Sequence, residues 1–566
     1  MIKKTIYILF FILIAIASCT TQKSHFKNGM VVSAKIEASE AGISILKQGG
    51  NAFDAMIATD LALAVVYPNA GNLGGGGFMV FRLSNDSIGS LDYREKSPSK
   101  STKDMYLNEN GDEIKGLSTY GGLAVGIPGT VAGLFETYEK FGSIPLDIIF
   151  EPAIDLANNG FLLTEQQAKA WNEKRNEILA INDSLPLFAK KFKAGDRIIN
   201  KPLANTLKLI LKNGKKEFYE GSIAKDLVKY LNKKNGIITM KDLSNYSPVW
   251  RDPFQFKYKN IDIISMGPPS SGGIVLGQIF KMIEAFDISK LKHNSSKYIQ
   301  LLVEAEKRAF ADRSEYLGDP DFNYIPANEL IDNKYVLNRM NNFSFKQSTP
   351  SEEISFGDLN YIESQETTHY SIVDQFGNAV SVTTTLNANF GSKLIPPKLG
   401  FFLNNEMDDF SIKPGLPNFY GLIGGDINSI EPNKRMLSSM TPTIVKKDNK
   451  LHLVLGSPGG PTIITSVLQT ILNFEEFNFD IDKSVNSPRF HHLWLPDLIY
   501  FEKNTFDNKT EEELLNKGYE INKNPSVIGR VDAIHINKDG FLFGAADKRG
   551  DDTSIGYWGN LFKNYS

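Results

Sequence analysis

Between Ser364 and Leu386 the chain reads SQETTHYSIVDQFGNAVSVTTTL, two alternating runs rich in Val, Ile, Thr and Tyr around the turn signal DQFGN. Runs of this kind are strands, and a short interruption containing Gly joins them as a hairpin. A hairpin centred near Phe376 pairs residues whose numbers sum to about 752, which sets His369 opposite Thr383 and Thr367 opposite Thr385 at the open end. Opposed Cβ atoms lie about 4.5–5.5 Å apart, within reach of a hydroxyl contact. A polar, aperiodic stretch from about Asn341 to Glu366 leads into the hairpin. Loops of that length in a globular protein are usually functional or disordered.

The open end gathers hydroxyls but no evident His/Asp constellation. A threonine hydroxyl is a poor nucleophile unless a base takes its proton. His369 shares the strand face of Thr367 but stands two residues along, about 6.5 Å away. One route remains. If the chain is cut before Thr367, the new α-amine, with a pKa near 8, becomes the base for its own hydroxyl. The same hydroxyl could make the cut by attacking the Glu366 carbonyl in an N-to-O acyl shift. A Thr-rich surface hairpin is the alternative that local sequence leaves open.

The rest of the chain narrows the class. Its 566 residues suffice for a large core, and 42% hydrophobic with 22% charged residues is a globular composition. A formal net charge of −3 gives no electrostatic case for a nucleic-acid partner. The seven histidines are scattered except for His491 and His492, and adjacent residues point apart, so no metal-ligand spacing appears. The N-terminal MIKKTIYILFFILIAIASC has Lys3 and Lys4, an apolar run and then small residues. It reads as a secretory signal over residues 1–18, too short for a comfortable membrane span. Cys19, the only cysteine, follows Ile16-Ala17-Ser18 directly, which resembles a bacterial lipobox and implies lipidation at Cys19. A lone cysteine leaves no intrachain disulfide.

EASEAGISILKQGGNAFDAMIATDLALAVVYP reads as two helices. The first ends at Gly49-Gly50; the second is capped by Asn51 with Asp54 one turn inside and runs until Pro68. The four glycines of NLGGGGFMVFRL lack the Lys-Ser/Thr and the following helix of a phosphate loop, so close backbone packing is their expected role. From Pro145 to about Leu317 the pattern reads as mainly helical, interrupted by the helix-capping turn MGPPSSGGIVLGQIF.

Read together, GGNAFDAMIA, NLGGGGFM, LDYREKSP, GIPGTVAG, PPSSGGI, TTHYSIVDQFGNAVSVTTTLN, LNNEMDDF, PNKRMLSSMTPTIV, GSPGGPTIITSVLQ and NSPRFHH resemble the γ-glutamyltransferases, members of the N-terminal-nucleophile hydrolase superfamily. The resemblance covers most of the chain. It implies an α+β fold, a four-layer αββα sandwich formed jointly by two autoprocessed subunits: a large one, residues 19–366, and a small one, residues 367–566, cut between Glu366 and Thr367. It implies that Thr367 is the nucleophile, that Thr385 hydrogen-bonds it, and that the N–H groups of Gly459 and Gly460 form an oxyanion hole. A glycine pair suits that task because no side chain blocks the developing charge.

A γ-glutamyl group carries an α-carboxylate and an α-ammonium far from the scissile amide. By resemblance Arg94 clamps the carboxylate, a bidentate task suited to guanidinium, with Ser438 and Ser439 adding hydroxyls. Asn387, Glu406 and Asp409 hold the ammonium, and Tyr420 resembles a lid aromatic that covers the substrate. Without the resemblance, Arg94 beside Glu95 reads as a surface salt bridge and NNEMDDF as a solvated turn. The implied activity transfers γ-glutamyl from glutathione or a similar compound to water or to an amino acid or peptide amine, with no metal or organic cofactor, in an exported, lipid-anchored protein of the bacterial envelope that faces the periplasm. The alternatives are an acylase of glutaryl or β-lactam amides, and a non-catalytic binding protein that has kept the fold.

Overall fold

The computed structural model describes residues 25–355, 368–418 and 421–559. Cys19, Glu366, Thr367 and Tyr420 lie outside them. Two antiparallel sheets dominate the described residues. The first has seven strands in the order Thr553–Tyr557, Gly29–Ser33, Thr368–Val373, Ala379–Thr385, Gly76–Arg82, Ile88–Asp92, Val249–Arg251. The second has six: Leu542–Ala545, Asp532–Ile536, Lys450–Gly456, Thr443–Lys447, Ile261–Ser265, Phe254–Tyr258. Both sheets draw strands from before and after residue 367, so neither part of the chain contains a whole sheet.

Three apolar clusters make four layers of these elements. Helices Ile36–Lys47 and Ala52–Val66 bury Ile45, Leu46, Phe53 and Leu61 with Val31, Met79, Tyr370 and Val380 on the outer face of the first sheet. Helices Gly272–Ile283, Ser296–Tyr316 and Thr462–Glu475 cover the second sheet through Ile279, Leu302, Val467 and Leu468. Between the sheets lie Met30, Val32, Phe78, Val80, Ile264, Ile444, Val454 and Ile534. The period-2 alternation of the strands makes this possible, since each sheet must be apolar on both faces. The arrangement is the expected α+β, αββα sandwich.

Several local expectations hold. Asn51 Oδ1 accepts from the N–H groups of Phe53 (2.8 Å) and Asp54 (3.0 Å), while Asp54 Oδ2 accepts from Asn51 N (3.0 Å), a complete capping box. The first helix ends at Lys47, followed by Gly49 at φ +96°. A Cβ at Gly74, Gly75, Gly76 or Gly77 would press into the carbonyls of Phe402, Thr385, Tyr93 and Thr383 respectively, so these glycines serve close packing. One expectation needs correction. The span read as mainly helical contains Val249–Arg251, Phe254–Tyr258 and Ile261–Ser265, strands of the two sheets. Their alternation in FQFKY and IDIIS is short, and only pairing with distant strands settles it as β.

Candidate active site

The hairpin has the register its sequence dictates: Thr384 opposite Thr368, Thr383 opposite His369, Val382 opposite Tyr370. Thr385 extends one residue past the last described pair and lies opposite Gly76 of the next strand. Three of the hairpin's hydroxyls serve the space between the sheets. Ser371 Oγ donates to Asp532 O (3.2 Å) and Ser381 Oγ to Leu455 O (3.0 Å), while Thr443 N donates to Ser381 Oγ (3.0 Å). His369 bridges Thr383 Oγ1 (3.0 Å) and Ser371 Oγ (3.1 Å), and its ring fills the place that a Cβ on Gly456 would take. Burial pushes its pKa down to about 3, so it is a neutral structural histidine at physiological pH.

At the open end of the hairpin lies a pocket lined by Arg94, Arg313, Thr385, Asn387, Glu406, Asp409, Ser438, Ser439 and Gly460, with Leu422, Leu437, Met440 and Ile463 as apolar walls. The segment that carries Arg94 and Glu95 leaves the Ile88–Asp92 strand, and Arg94 N donates to Asp92 Oδ1 (2.9 Å). The turn Glu406–Asp409 is fixed by Asn404, whose Nδ2 donates to the carbonyls of Gly74 (2.8 Å) and Gly126 (2.9 Å) and whose Oδ1 accepts from Glu406 N (3.0 Å). The serine pair is fixed by the PPSSGG turn: Ser438 N donates to Pro269 O (2.9 Å), and Ser438 O accepts from Ser271 N (2.8 Å). Gly459 and Gly460, at φ +128° and +55°, make the turn between the Lys450–Gly456 strand and the Thr462–Glu475 helix, a conformation that favours glycine. Thr385 Oγ1 accepts from Asn387 N (2.8 Å), and Asn387 Nδ2 donates to Asn405 O (3.1 Å).

The charges are paired across the pocket and lie out of water. Arg94 Nη1 is 2.5 Å from Glu406 Oε2 and Nη2 is 2.5 Å from Asp409 Oδ2, with Glu95 Oε2 at 3.6 Å. Arg94, Glu95 and Glu406 are at most 1% exposed. This overturns the reading of Arg94–Glu95 as a surface salt bridge and of NNEMDDF as a solvated turn. Burial raises the pKa of all three carboxyls: Glu95 to about 8, Glu406 well above the ordinary value, and Asp409 above it, each opposed by Arg94. Burial works against the Arg94 cation, but Glu406, Asp409 and Glu95 hold its pKa above the ordinary value. Neither Glu95 oxygen has a hydrogen-bond donor among the described residues.

Three residues that sequence reasoning did not single out belong to this place. Arg313, on the buried Ser296–Tyr316 helix, reaches Ser271 Oγ with Nε (2.9 Å) and Ser439 Oγ with Nη2 (3.3 Å); burial lowers its pKa to about 10 against the pull of Asp409. Asn418 Nδ2 donates to Asp409 Oδ1 (3.0 Å), and Glu95 sits beneath Arg94. Arg313 gives no local signal, because its helix is buried on almost every side. Among the described residues no group of His, Cys, Asp or Glu could hold a metal ion.

A pocket lined by two arginines, two carboxyl side chains and two serines thus lies at a strand end of an αββα sandwich, the fold of the N-terminal-nucleophile hydrolases. The family model described as gamma-glutamyltranspeptidase matches residues 38–557, and the chain belongs to that family. It is 45% identical over 538 residues to the glutathione hydrolase proenzyme of Escherichia coli (strain K12), covering 94% of this chain and 92% of that one. It is 41% identical to the protein of the same name from Pseudomonas aeruginosa, with 95% and 96% covered. Among solved structures, a cephalosporin acylase from Bacillus halodurans superimposes with a TM-score of 0.83 at 23% identity, covering 95% of this chain and 97% of that one; this likeness concerns the fold.

Proposed function

We infer that the chain is a proenzyme that cuts itself before Thr367 and then acts as a γ-glutamyltransferase and glutathione hydrolase. The observation that carries this reading is the contact of Arg94 with Glu406 and Asp409 in one buried pocket. An α-amino acid bears its carboxylate and ammonium on one carbon, so its receptor must present both signs within a few ångströms. The carboxyl groups of Glu406 and Asp409 stand against the two Arg94 nitrogens that a substrate carboxylate would take. The substrate ammonium would then draw Glu406, Asp409 and the Asn387 amide. Arg94, with Ser438 and Ser439, would clamp the carboxylate, a charge-assisted pairing of the stronger kind. A glutaryl group has no ammonium to meet the acidic side, which disfavours the acylase reading. A binding protein would have no need of Thr385 and the Gly459–Gly460 turn beside such a pocket.

In processing, Thr367 Oγ attacks the Glu366 carbonyl carbon, the peptide C–N bond breaks, and an ester with a free Thr367 amine results; water then releases the Glu366 carboxylate and restores the hydroxyl. In catalysis that amine takes the Oγ proton as Oγ attacks the γ-carbonyl, with Thr385 orienting the hydroxyl. The N–H groups of Gly459 and Gly460 meet the oxyanion; among the described residues no group accepts from either. The proton passes to the leaving amine, and water or an acceptor amine resolves the acyl ester. Tyr420 closes the site in this reading. Cleavage leaves a large piece, 19–366, and a small piece, 367–566, held together by the shared sheets. Lipidation at Cys19 tethers the enzyme to an envelope membrane, facing the periplasm; among the described residues no helix is long and apolar enough to cross one.

A denaturing gel of purified protein, with an assay of γ-glutamyl anilide, tests this function. Wild type gives two bands and releases the anilide; Thr367→Ala gives one band and no release. An uncut Thr367→Ala chain with wild-type activity, or two bands from that variant, would refute the assignment.

A further inference from the structure

The strand registers show which end of the sandwich faces away from the pocket. Gly29 pairs with Tyr557 and Ser33 with Thr553, while Met30 pairs with Val373 and Ser33 with Tyr370. The Gly29/Tyr557 end therefore coincides with the Val373 end of the catalytic hairpin, about 17 Å along the strand from Thr368 at roughly 3.3 Å per residue. The same end carries the turns after Val373, Lys447 and Ile536. The chain also enters the described structure there: Phe26 forms a β-bridge with Leu542, and Asn28 N donates to Tyr557 O (3.2 Å).

An aromatic cluster occupies this entry point. The His25 ring lies 5.0 Å from Phe541, 5.8 Å from Phe543 and 5.6 Å from Trp558, and Lys27 Nζ sits 5.0 Å above Phe541. Trp558 is 51% exposed, and Phe376 at the hairpin tip is 55% exposed. Lys27, Lys450 and Lys538 are exposed on the same end. Half-exposed aromatics beside lysines are the composition of a surface that rests at a lipid headgroup layer.

We propose that this end of the sandwich, with Phe376, Phe541 and Trp558, lies against the membrane to which Cys19 tethers the chain, while the catalytic end faces the aqueous compartment. The inference rests on lipidation of Cys19. Five residues lie between Cys19 and His25, a reach of at most about 20 Å, so the tether brings this end of the sandwich to the bilayer. The occupant is therefore a lipid surface.

The sole native cysteine is the lipidation site, so in the acylated chain an engineered cysteine is the only free thiol. Trp558→Cys and Phe376→Cys, each carrying a polarity-sensitive fluorophore, are placed in vesicles of phosphatidylethanolamine and phosphatidylglycerol. Tyr324→Cys serves as the control. Position 324 is 77% exposed and follows Asp321, which pairs with Arg251 on the opposite edge strand, six strand spacings or about 29 Å from Thr553–Tyr557. Emission at 558 and 376 should shift to the blue and be quenched by brominated lipid, with that at 324 unchanged; anilide release should match wild type in all three. A chain that floats with the vesicles but shows equal emission at 558 and 324 overturns the orientation alone. Wild type that does not float, as Cys19→Ala should not, overturns tethering and orientation together. A blue shift at 558 that depends on protein concentration in detergent without lipid identifies a second copy as the occupant and also overturns the proposal.

Discussion

The pocket around Arg94 and the cluster around Arg489 and Arg549 both bury two arginines among carboxylates, yet the carboxyls beside Arg94 and Asp547 in the second cluster shift in opposite directions. In the second cluster Arg549 holds Glu502 with Nε (2.6 Å) and Nη2 (2.5 Å) and Asp547 with Nη1 (2.9 Å), and Arg489 Nη2 donates to Asp547 (3.0 Å). Backbone donors complete the partners of the two carboxylates: Val531 N to Asp547 (2.8 Å), Arg489 N and Ile528 N to Glu502 (both 2.9 Å). Burial would raise the Asp547 carboxyl, but Arg489 and Arg549 hold it below the ordinary value. Around Arg94 one guanidinium serves three carboxyls, Glu95 has no hydrogen-bond donor on either oxygen among the described residues, and all three pKa values are raised. A satisfied buried network fixes a fold, whereas one short of donors is a site that a cationic ligand completes.

The comparison breaks first if the clusters respond alike to losing an arginine. Arg489→Ala leaves Asp547 buried with one of its two arginines, and removing one partner of a buried ionic network costs about 3–5 kcal/mol of folding stability. The urea midpoint should fall accordingly, with KM for γ-glutamyl donors unchanged in the protein that stays folded. Arg94→Ala should do the reverse. Its carboxyls already resist ionisation and take up protons when the cation goes, so the urea midpoint should move little. KM should rise, and kcat/KM should fall by roughly 30-fold or more, as for loss of a charged partner worth about 2–5 kcal/mol. Equal KM for Arg94→Ala and wild type would remove Arg94 from the substrate site.

How much of this contrast was legible beforehand depends on range. The Asn51–Asp54 capping box and the hairpin register are settled by residues a few positions apart. The four packing glycines announced themselves by lacking the partners of a phosphate loop. Arg94, Glu406 and Asp409 were found only through family resemblance, since 315 positions separate Arg94 from Asp409 and nothing local says that DYREK is buried. Arg313 was missed because an arginine on an all-round buried helix has the same periodicity as one at the surface. The strands at 249–265 were missed because their β character comes from pairing partners as distant as Thr443. Of the hairpin's hydroxyls, Ser371 and Ser381 tie the two sheets together, whereas Thr385 at the open end lines the pocket.

A smaller effect sharpens the difference. Glu406→Gln removes a buried carboxyl without removing volume. Stability should change by less than about 1 kcal/mol or rise, because replacing a poorly satisfied buried charge can be neutral or stabilising. KM for the donor should rise several-fold through the weaker hold on its ammonium. Glu502→Gln, the matching change in the satisfied cluster, should destabilise clearly. If both substitutions lower the urea midpoint equally, the distinction between the clusters fails.

The smallest expected effect is a slope. In the folded protein Glu95 titrates near 8, against an ordinary 4.5, because burial outweighs Arg94. The folded state thus holds a proton that the unfolded chain releases between those values. The contribution to stability is fully present below about pH 4.5 and is lost as pH rises through 8. Asp60 and Asp552, raised to about 7 by burial, add slopes of the same sign, so Glu95→Gln should flatten the decline of the thermal midpoint between pH 5 and 8 without abolishing it. A saturating γ-glutamyl ligand should flatten the wild-type curve in the same way, since its ammonium favours the ionised carboxyls. Asp547→Asn should leave that part of the slope untouched, because its depressed pKa places its own linkage below pH 4. A Glu95→Gln curve parallel to wild type would mean that the Arg94 pocket is as fully satisfied as its counterpart, and the physical basis for reading it as a receptor would be gone.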